Sequence, residues 1–185
     1  MTAEGPANPH GEGRDLVDKI VEQWLVERPD LDHATLGTVA RLLRVAEILN
    51  VELVRRLERL ELSVGWFEVL AALRRAGAPY RLTPTELLQS VLRTSGAMTS
   101  RLDGMEKAGL IRRVQNPDDR RSVLVELTQR GRTLADRAIT IHVANERALI
   151  EALGEDEQGQ LGDLLARLLR SLEPRAKARR DTDPA

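Results

Sequence analysis

The 185-residue chain contains no cysteine. That absence excludes disulfides, thiolate metal sites and thiol-based redox sensing. Histidine is scarce, three in all and none in a spaced ligand pair, so no structural zinc is expected. Aromatic residues make up only 2%, which leaves Leu, Val, Ile and Ala to fill the core. Short aliphatic side chains suit helix packed on helix. No run of 18 apolar residues occurs, so a membrane span is not expected. The opening MTAEGPANPHGEG lacks the apolar segment of a signal peptide, and the expectation is a cytoplasmic protein. There is no nucleophile–base pair, no phosphate-cradling glycine loop and no metal cluster in the pattern. Neither a cofactor nor an enzymatic activity is therefore expected.

A large charge imbalance is missing too. The net charge is −1, which by itself argues against a nucleic-acid binder. Where the charge sits matters more than its sum. From Arg101 to Arg132 there are eight Lys or Arg against five Asp or Glu, a locally basic stretch.

What is present is mostly helical periodicity. Residues 1–13 and 174–185 read as disordered tails, the second with a basic cluster at Arg175, Lys177, Arg179 and Arg180. That cluster is either a solvated tail or a weak attraction for a DNA backbone. Leu16, Val17, Ile20, Val21, Trp24 and Leu25 mark one face of a first helix, ended by Pro29. Leu36 through Leu60 give a second, long helix, and Trp66–Ala76 a third, stopped by Gly77 and Pro79. Thr83, Pro84 and Glu86 are an N-cap, a first-turn proline and a capping-box acid, which start a short helix running to about Val91. Ser95 caps another through Ala108, closed by Gly109. Two short helices so joined are a helix-turn-helix candidate.

After Gly109 the period changes to two. Leu110–Val114 and Val123–Leu127 alternate as strands around QNPDDRRS, a β-hairpin with a charged tip. Thr128 then caps a helix to about Leu153, Gly154 breaks it, and Leu161, Leu164, Leu165, Leu168, Leu169 and Leu172 form a last amphipathic helix. The expected fold is mainly α with a small β-hairpin wing. N-terminal helices occupy 14–62, a winged helix-turn-helix 63–130 and C-terminal helices 131–173.

In the helix from Ser95 to Ala108, Met98, Leu102 and Met105 fall on one side and face the core. The opposite side carries Ala97, Ser100 and Gly104, poor in bulk. A major groove about 12 Å wide admits a helix whose face lets the backbone come close. Thr99 and Ser100 can bond base edges or phosphates, and Arg101 can reach a guanine or a phosphate. Thr94 and Ser95 at the helix N-terminus favour a phosphate. The plain alternative is a surface helix with small residues. At the hairpin tip, Arg120 and Arg121 can enter a minor groove, and Asp119 can hold an Arg side chain by a forked ion pair. The plain alternative there is an ordinary charged turn.

The pieces GWFEVLAALRRAG, LTPTELL, TSGAMTSRLDGMEKAGLIRR and NPDDRRSVLVELTQRG, spanning Gly65 to Gly131, resemble the MarR family of winged-helix regulators in order and spacing. The resemblance implies a sequence-specific regulator that binds a pseudo-palindromic operator as a homodimer held by its terminal helices. Recognition helices would lie in adjacent major grooves and wings in flanking minor grooves. It carries the wing's Asp-x-Arg pattern onto Asp119 and Arg121, and a DNA-binding role onto Arg113. Many relatives have Arg where this chain has Gly104, which puts a contact from that position in doubt. WLVERPDLD and GWFEVLAALRR further resemble actinobacterial members that sense urate or small polycarboxylates. That likeness places a ligand site at Trp24, Glu68 and Arg75, with Arg44 and Arg74 as further cations. Trp24 could equally be a core or dimer-interface anchor. The rival to a DNA-binding regulator is a winged helix used for protein contacts alone.

Overall fold

The computed structural model describes residues 13–91, 98–117, 119 and 121–182. Among them the order is helices α1 (Leu16–Glu27), α2 (His33–Glu58) and α3 (Val64–Arg75), strand β1 (Arg81–Leu82), and helices α4 (Pro84–Ser90) and α5 (Met98–Lys107). Strands β2 (Ile111–Gln115) and β3 (Val123–Leu127) and helices α6 (Gln129–Leu149) and α7 (Glu155–Thr182) follow. The chain divides into two compact units, residues 1–52 and 53–185, the boundary falling inside α2.

In the first unit, Asp15 caps α1 through a reciprocal box with Asp18. Both carboxylates also accept from the Arg41 guanidinium of α2, and that hydrogen bond holds the Asp15 acid below the usual carboxylate range. Val17 is buried, whereas Leu16, Trp24, Leu25 and Val26 are exposed on the single chain. Among the described residues Trp24 is thus not packed into a core.

The second unit holds the main core. Leu57 and Leu62, Val69, Leu70 and Leu73 of α3, Leu87 of α4, Met98, Leu102 and Met105 of α5, Ile111 and Val125 of the sheet, and Ala135 and Ala138 of α6 form one buried cluster. Aliphatic packing of this kind is the dominant favourable term in folding. Its spread explains why the unit begins within α2 and takes in α6. Phe67 of α3 meets the His142 ring of α6, centroids 4.5 Å apart. Arg56 from the end of α2 donates to Asn145 of α6 at 3.1 Å.

The sheet has the order β1-β3-β2, all antiparallel. β1 was not expected. It is only two residues long, too short for a period to register, and pairing with β3 alone defines it. One rung of this sheet is ionic. Glu126 sits opposite both Arg81 and Arg112, is itself buried, and takes Arg112 Nη2 at 2.5 Å with Arg81 Nε at 3.4 Å. A buried carboxylate needs such partners to offset its desolvation.

Two boundaries differ from the sequence reading. α6 ends at Leu149, and Ile150–Leu153 close as a turn, Leu153 N–H donating to Ile150 O at 3.0 Å. α7 runs through Pro174 to Thr182, so residues 174–182, expected to be disordered, are helical. Proline removes one backbone donor, but the surrounding Ala, Arg and Lys are good helix formers. Of the first tail, only Gly13 falls within the described residues.

Candidate nucleic-acid interface

The start of α4 and the end of α5 form as their punctuation predicts, while the expected Ser95 cap lies outside the described residues. Thr83 Oγ1 accepts the Glu86 N–H at 3.2 Å, and Glu86 Oε2 accepts the Thr83 N–H at 2.7 Å. The Thr83 N–H holds the Glu86 carboxyl below the ordinary glutamate value. α5 ends in a Schellman turn: Leu110 N–H donates to Met105 O at 3.0 Å and Gly109 N–H to Glu106 O at 2.8 Å, with Gly109 at φ 69°. Glycine adopts that left-handed conformation without penalty, which is why the helix stops there.

Met98, Leu102 and Met105 of α5 are buried, and Thr99 and Ser100 are exposed, as the periodicity requires. The rest of the expected groove face is occupied differently. Gly104 is half-buried under Trp66, so close that a methyl there would stand 3.1 Å from the indole. It is a packing position against α3, not a small residue left open for DNA. Arg101, expected to reach a base or a phosphate, lays its guanidinium against Gly65 at the start of α3, where a Cβ would come within 2.5 Å. Thr94, Ser95 and Ala97 lie outside the described residues.

Arg113 departs most from expectation. Its Nη2 donates to Asp103 Oδ1 at 2.5 Å, its Nη1 bonds Glu106 Oε2, and its backbone N–H donates to Glu106 Oε1 at 2.8 Å. Hydrogen bonding to Asp103, first of all, raises its pKa further above an already high value. The side chain expected on DNA is engaged by the recognition helix. Asp103 and Glu106 were not singled out from the sequence, although two acids three residues apart on that helix were the signal for a shared partner.

In the wing, Asn116 and Ser122 close the hairpin: Asn116 N–H donates to Ser122 O at 3.1 Å and Asn116 Nδ2 to Ser122 Oγ at 2.8 Å. Asp119 does not fork onto the Arg121 guanidinium. Its carboxylate accepts the Arg121 backbone N–H at 2.9 Å, an Asx-type turn that leaves the exposed Arg121 side chain at the tip. Arg120 lies outside the described residues.

Thr128 anchors α6 to this lobe. It caps the helix through Gly131 N–H at 3.0 Å, and its Oγ1 donates to Gly109 O at 2.7 Å. Its backbone N–H donates to Leu110 O at 3.1 Å.

Of the residues expected around a ligand, Trp24 and Arg44 belong to the first unit and Glu68, Arg74 and Arg75 to the second. Arg44 pairs with Glu47 at 2.7 Å. Arg74 pairs with Asp136 at 2.6 Å and lies 5.1 Å from the Tyr80 ring. Arg75 donates to Ser90 O at 2.8 Å, tying α3 to the end of α4. Glu68 is half-buried on α3. These arginines have structural work that the sequence did not reveal, because each partner but Glu47 is distant along the chain.

Comparison with known proteins agrees with this geometry. The MarR family profile matches residues 62–123. The HTH-type transcriptional regulator PecS of Dickeya dadantii is 38% identical over 84% of this chain and 94% of its own length. The chain belongs to the MarR family. The HTH-type transcriptional repressor YetL of Bacillus subtilis is 28% identical over 75% of this chain and 85% of its own. Among solved structures, an Escherichia coli MarR mutant complexed with operator DNA superposes with a TM-score of 0.61 at 27% identity, over 84% of this chain and 99% of that one. The chain is a winged-helix, DNA-binding transcriptional regulator and not an enzyme. No described helix is long and apolar enough to cross a membrane.

Proposed function

We propose that this regulator is a repressor that binds a pseudo-palindromic operator as a homodimer and lets go when a small anionic or aromatic ligand binds. The observation that carries the DNA part is α5: an apolar face sunk in the core, Thr99 and Ser100 outward, and a likeness to a relative bound to its operator. In a two-fold dimer the half-site centres would lie one helical turn, roughly 10 bp, apart. The homodimer reading is supported by uncovered apolar faces: Leu161, Leu164, Leu165, Leu168, Leu169 and Leu172 on α7, and Trp24 and Leu25 on α1, are all exposed on the single chain. Contiguous exposed apolar surface of that kind marks an association site. YetL's name supports the repressor reading.

The urate or polycarboxylate effector rests on the likeness of WLVERPDLD and GWFEVLAALRR to members that sense such ligands. Arg74 and Arg75 of α3 engage Asp136 and the Ser90 carbonyl through one guanidinium nitrogen each, which leaves N–H donors for an anion. A ligand shifts DNA affinity only by its differential affinity for the two spacings of the recognition helices. The deciding experiment is a mobility shift with the intergenic DNA beside the protein's own gene, at two salt concentrations and with competitor DNA. Tight, salt-sensitive binding that survives competitor is expected, weakened by urate or citrate if the effector reading is right. Binding no better than to random DNA would favour the protein-contact reading.

A further inference from the structure

At about 100° per residue, the elements around α5 divide its circumference into sectors. Met98, Leu102 and Met105 hold the buried side. One flank, Gly104 and Arg101, is packed on Trp66 and Gly65 of α3. The other flank, Asp103 and Glu106, is held by Arg113 of β2. The arc left open runs through Ser100. Core packing sets which face of a helix is buried and leaves only a limited roll about its own axis. Two flank contacts on opposite sides remove that freedom.

We propose that Arg113 is a positioning residue for operator recognition: it latches α5 to β2 and so sets the roll of the recognition helix, without itself touching DNA. This rests on the DNA-binding reading above. Glu106 takes both the guanidinium and the backbone N–H of Arg113, which fixes the strand and the side chain together. The guanidinium is shared between two carboxylates and has little charge left to offer a phosphate. Asp103 and Glu106, on a helix that approaches a polyanion, would oppose binding if left unneutralised. The Arg113 side chain is 30% exposed, so the pair is screened less than a free surface pair.

The role has a sign that distinguishes it. Replacing Asp103→Asn and Glu106→Gln removes two negative charges near DNA. If charge alone mattered, operator and random DNA would both bind more tightly. If the latch positions the helix, operator affinity falls roughly five- to tenfold while affinity for random DNA holds or rises. Arg113→Ala should lower operator affinity by at least that factor, since it also leaves Asp103 and Glu106 unneutralised, and the triple variant should lose no more than Arg113→Ala, because all remove one latch. The measurement is binding of full-length protein to operator and to random DNA, with a thermal melt of each variant. Tighter operator binding by the carboxylate variant, adding independently to an Arg113→Ala loss, would overturn the proposal and put Arg113 on the DNA. Should Arg113→Ala fail to fold, Arg113→Lys keeps the charge but cannot fork. It should lose operator preference, and wild-type behaviour from it would equally overturn the latch. A wild-type protein with no operator preference would sink the DNA-binding reading itself, and the latch with it.

Discussion

Gly131 offers the sharpest test of how α6 is joined to the DNA-binding lobe. A Cβ on Gly131 would stand 1.9 Å from Leu110 O, a backbone atom. Ordinary C···O contacts lie near ~3.4 Å, so Gly131→Ala must push α6 and the α5–β2 turn apart by about 1.5 Å. No rotamer change relieves this. The displaced carbonyl also accepts the Thr128 N–H at 3.1 Å, while the single Thr128 hydroxyl proton goes to Gly109 O at 2.7 Å. Overpacking costs about 1–3 kcal/mol, and one weakened hydrogen bond adds about 1 kcal/mol. Alanine's better helix propensity returns about 1 kcal/mol. The net loss is about 2 kcal/mol, or a fall in Tm of roughly 4–8 °C for a chain of this size. Gly159 is the control: it lies in α7 with nothing within 4 Å, opposite the leucine face. Gly159→Ala should gain about 1 kcal/mol. Melts at one fixed protein concentration decide the matter, since the Tm of the proposed dimer would depend on concentration. If Gly131→Ala melts within a degree or two of wild type, the close approach of α6 to Leu110 is not as described.

At Gly65 the neighbour is the end of a flexible side chain, so Gly65→Ala should stay within about 1 kcal/mol of wild type while displacing the Arg101 guanidinium; a loss as large as that at Gly131 would contradict this. Thr83→Ala should cost about 1 kcal/mol by removing the α4 cap, read by denaturant unfolding. Glu86 has a folded pKa below its ordinary 4.5, so its charge stabilises the fold above that value and the benefit fades as pH falls through the depressed one. Glu86→Gln should therefore melt below wild type at neutral pH and converge with it in acid; a gap that stays constant down to pH ~3 would refute the charge argument. Arg121→Ala should weaken binding to all DNA sequences alike and reduce the slope of log K against log salt by about 0.9; an unchanged slope would remove the wing from the interface.

Local chemistry made much of this protein legible in its sequence. Thr83-Pro84-x-Glu86 specified the start of α4 because both partners of a capping box lie within one turn. Gly109 specified the end of α5 because a left-handed residue is needed there. The 3.6-residue spacing of Met98, Leu102 and Met105 named the buried face, and the change to a period of two after Gly109 named the wing. α7 reached past its expected end because one proline does not outweigh a run of good helix formers.

What the sequence could not show is which partner each charged or small residue would find. Arg101 and the bare helix face that includes Gly104 read as fitted to DNA, because a free Arg and a face poor in bulk are what a groove requires, and the family resemblance carried a DNA role onto Arg113. The tertiary structure brings Asp103 and Glu106 to Arg113, Gly65 to Arg101 and Trp66 to Gly104. Arg74 met Asp136, and Glu126 met both Arg81 and Arg112, across gaps that no short pattern spans. Capping, turns and periodicity act over at most one or two turns of backbone, so the order of residues determines them. Ion pairs and close approaches between elements depend on where folding sets those elements down, and only the packed core decides that.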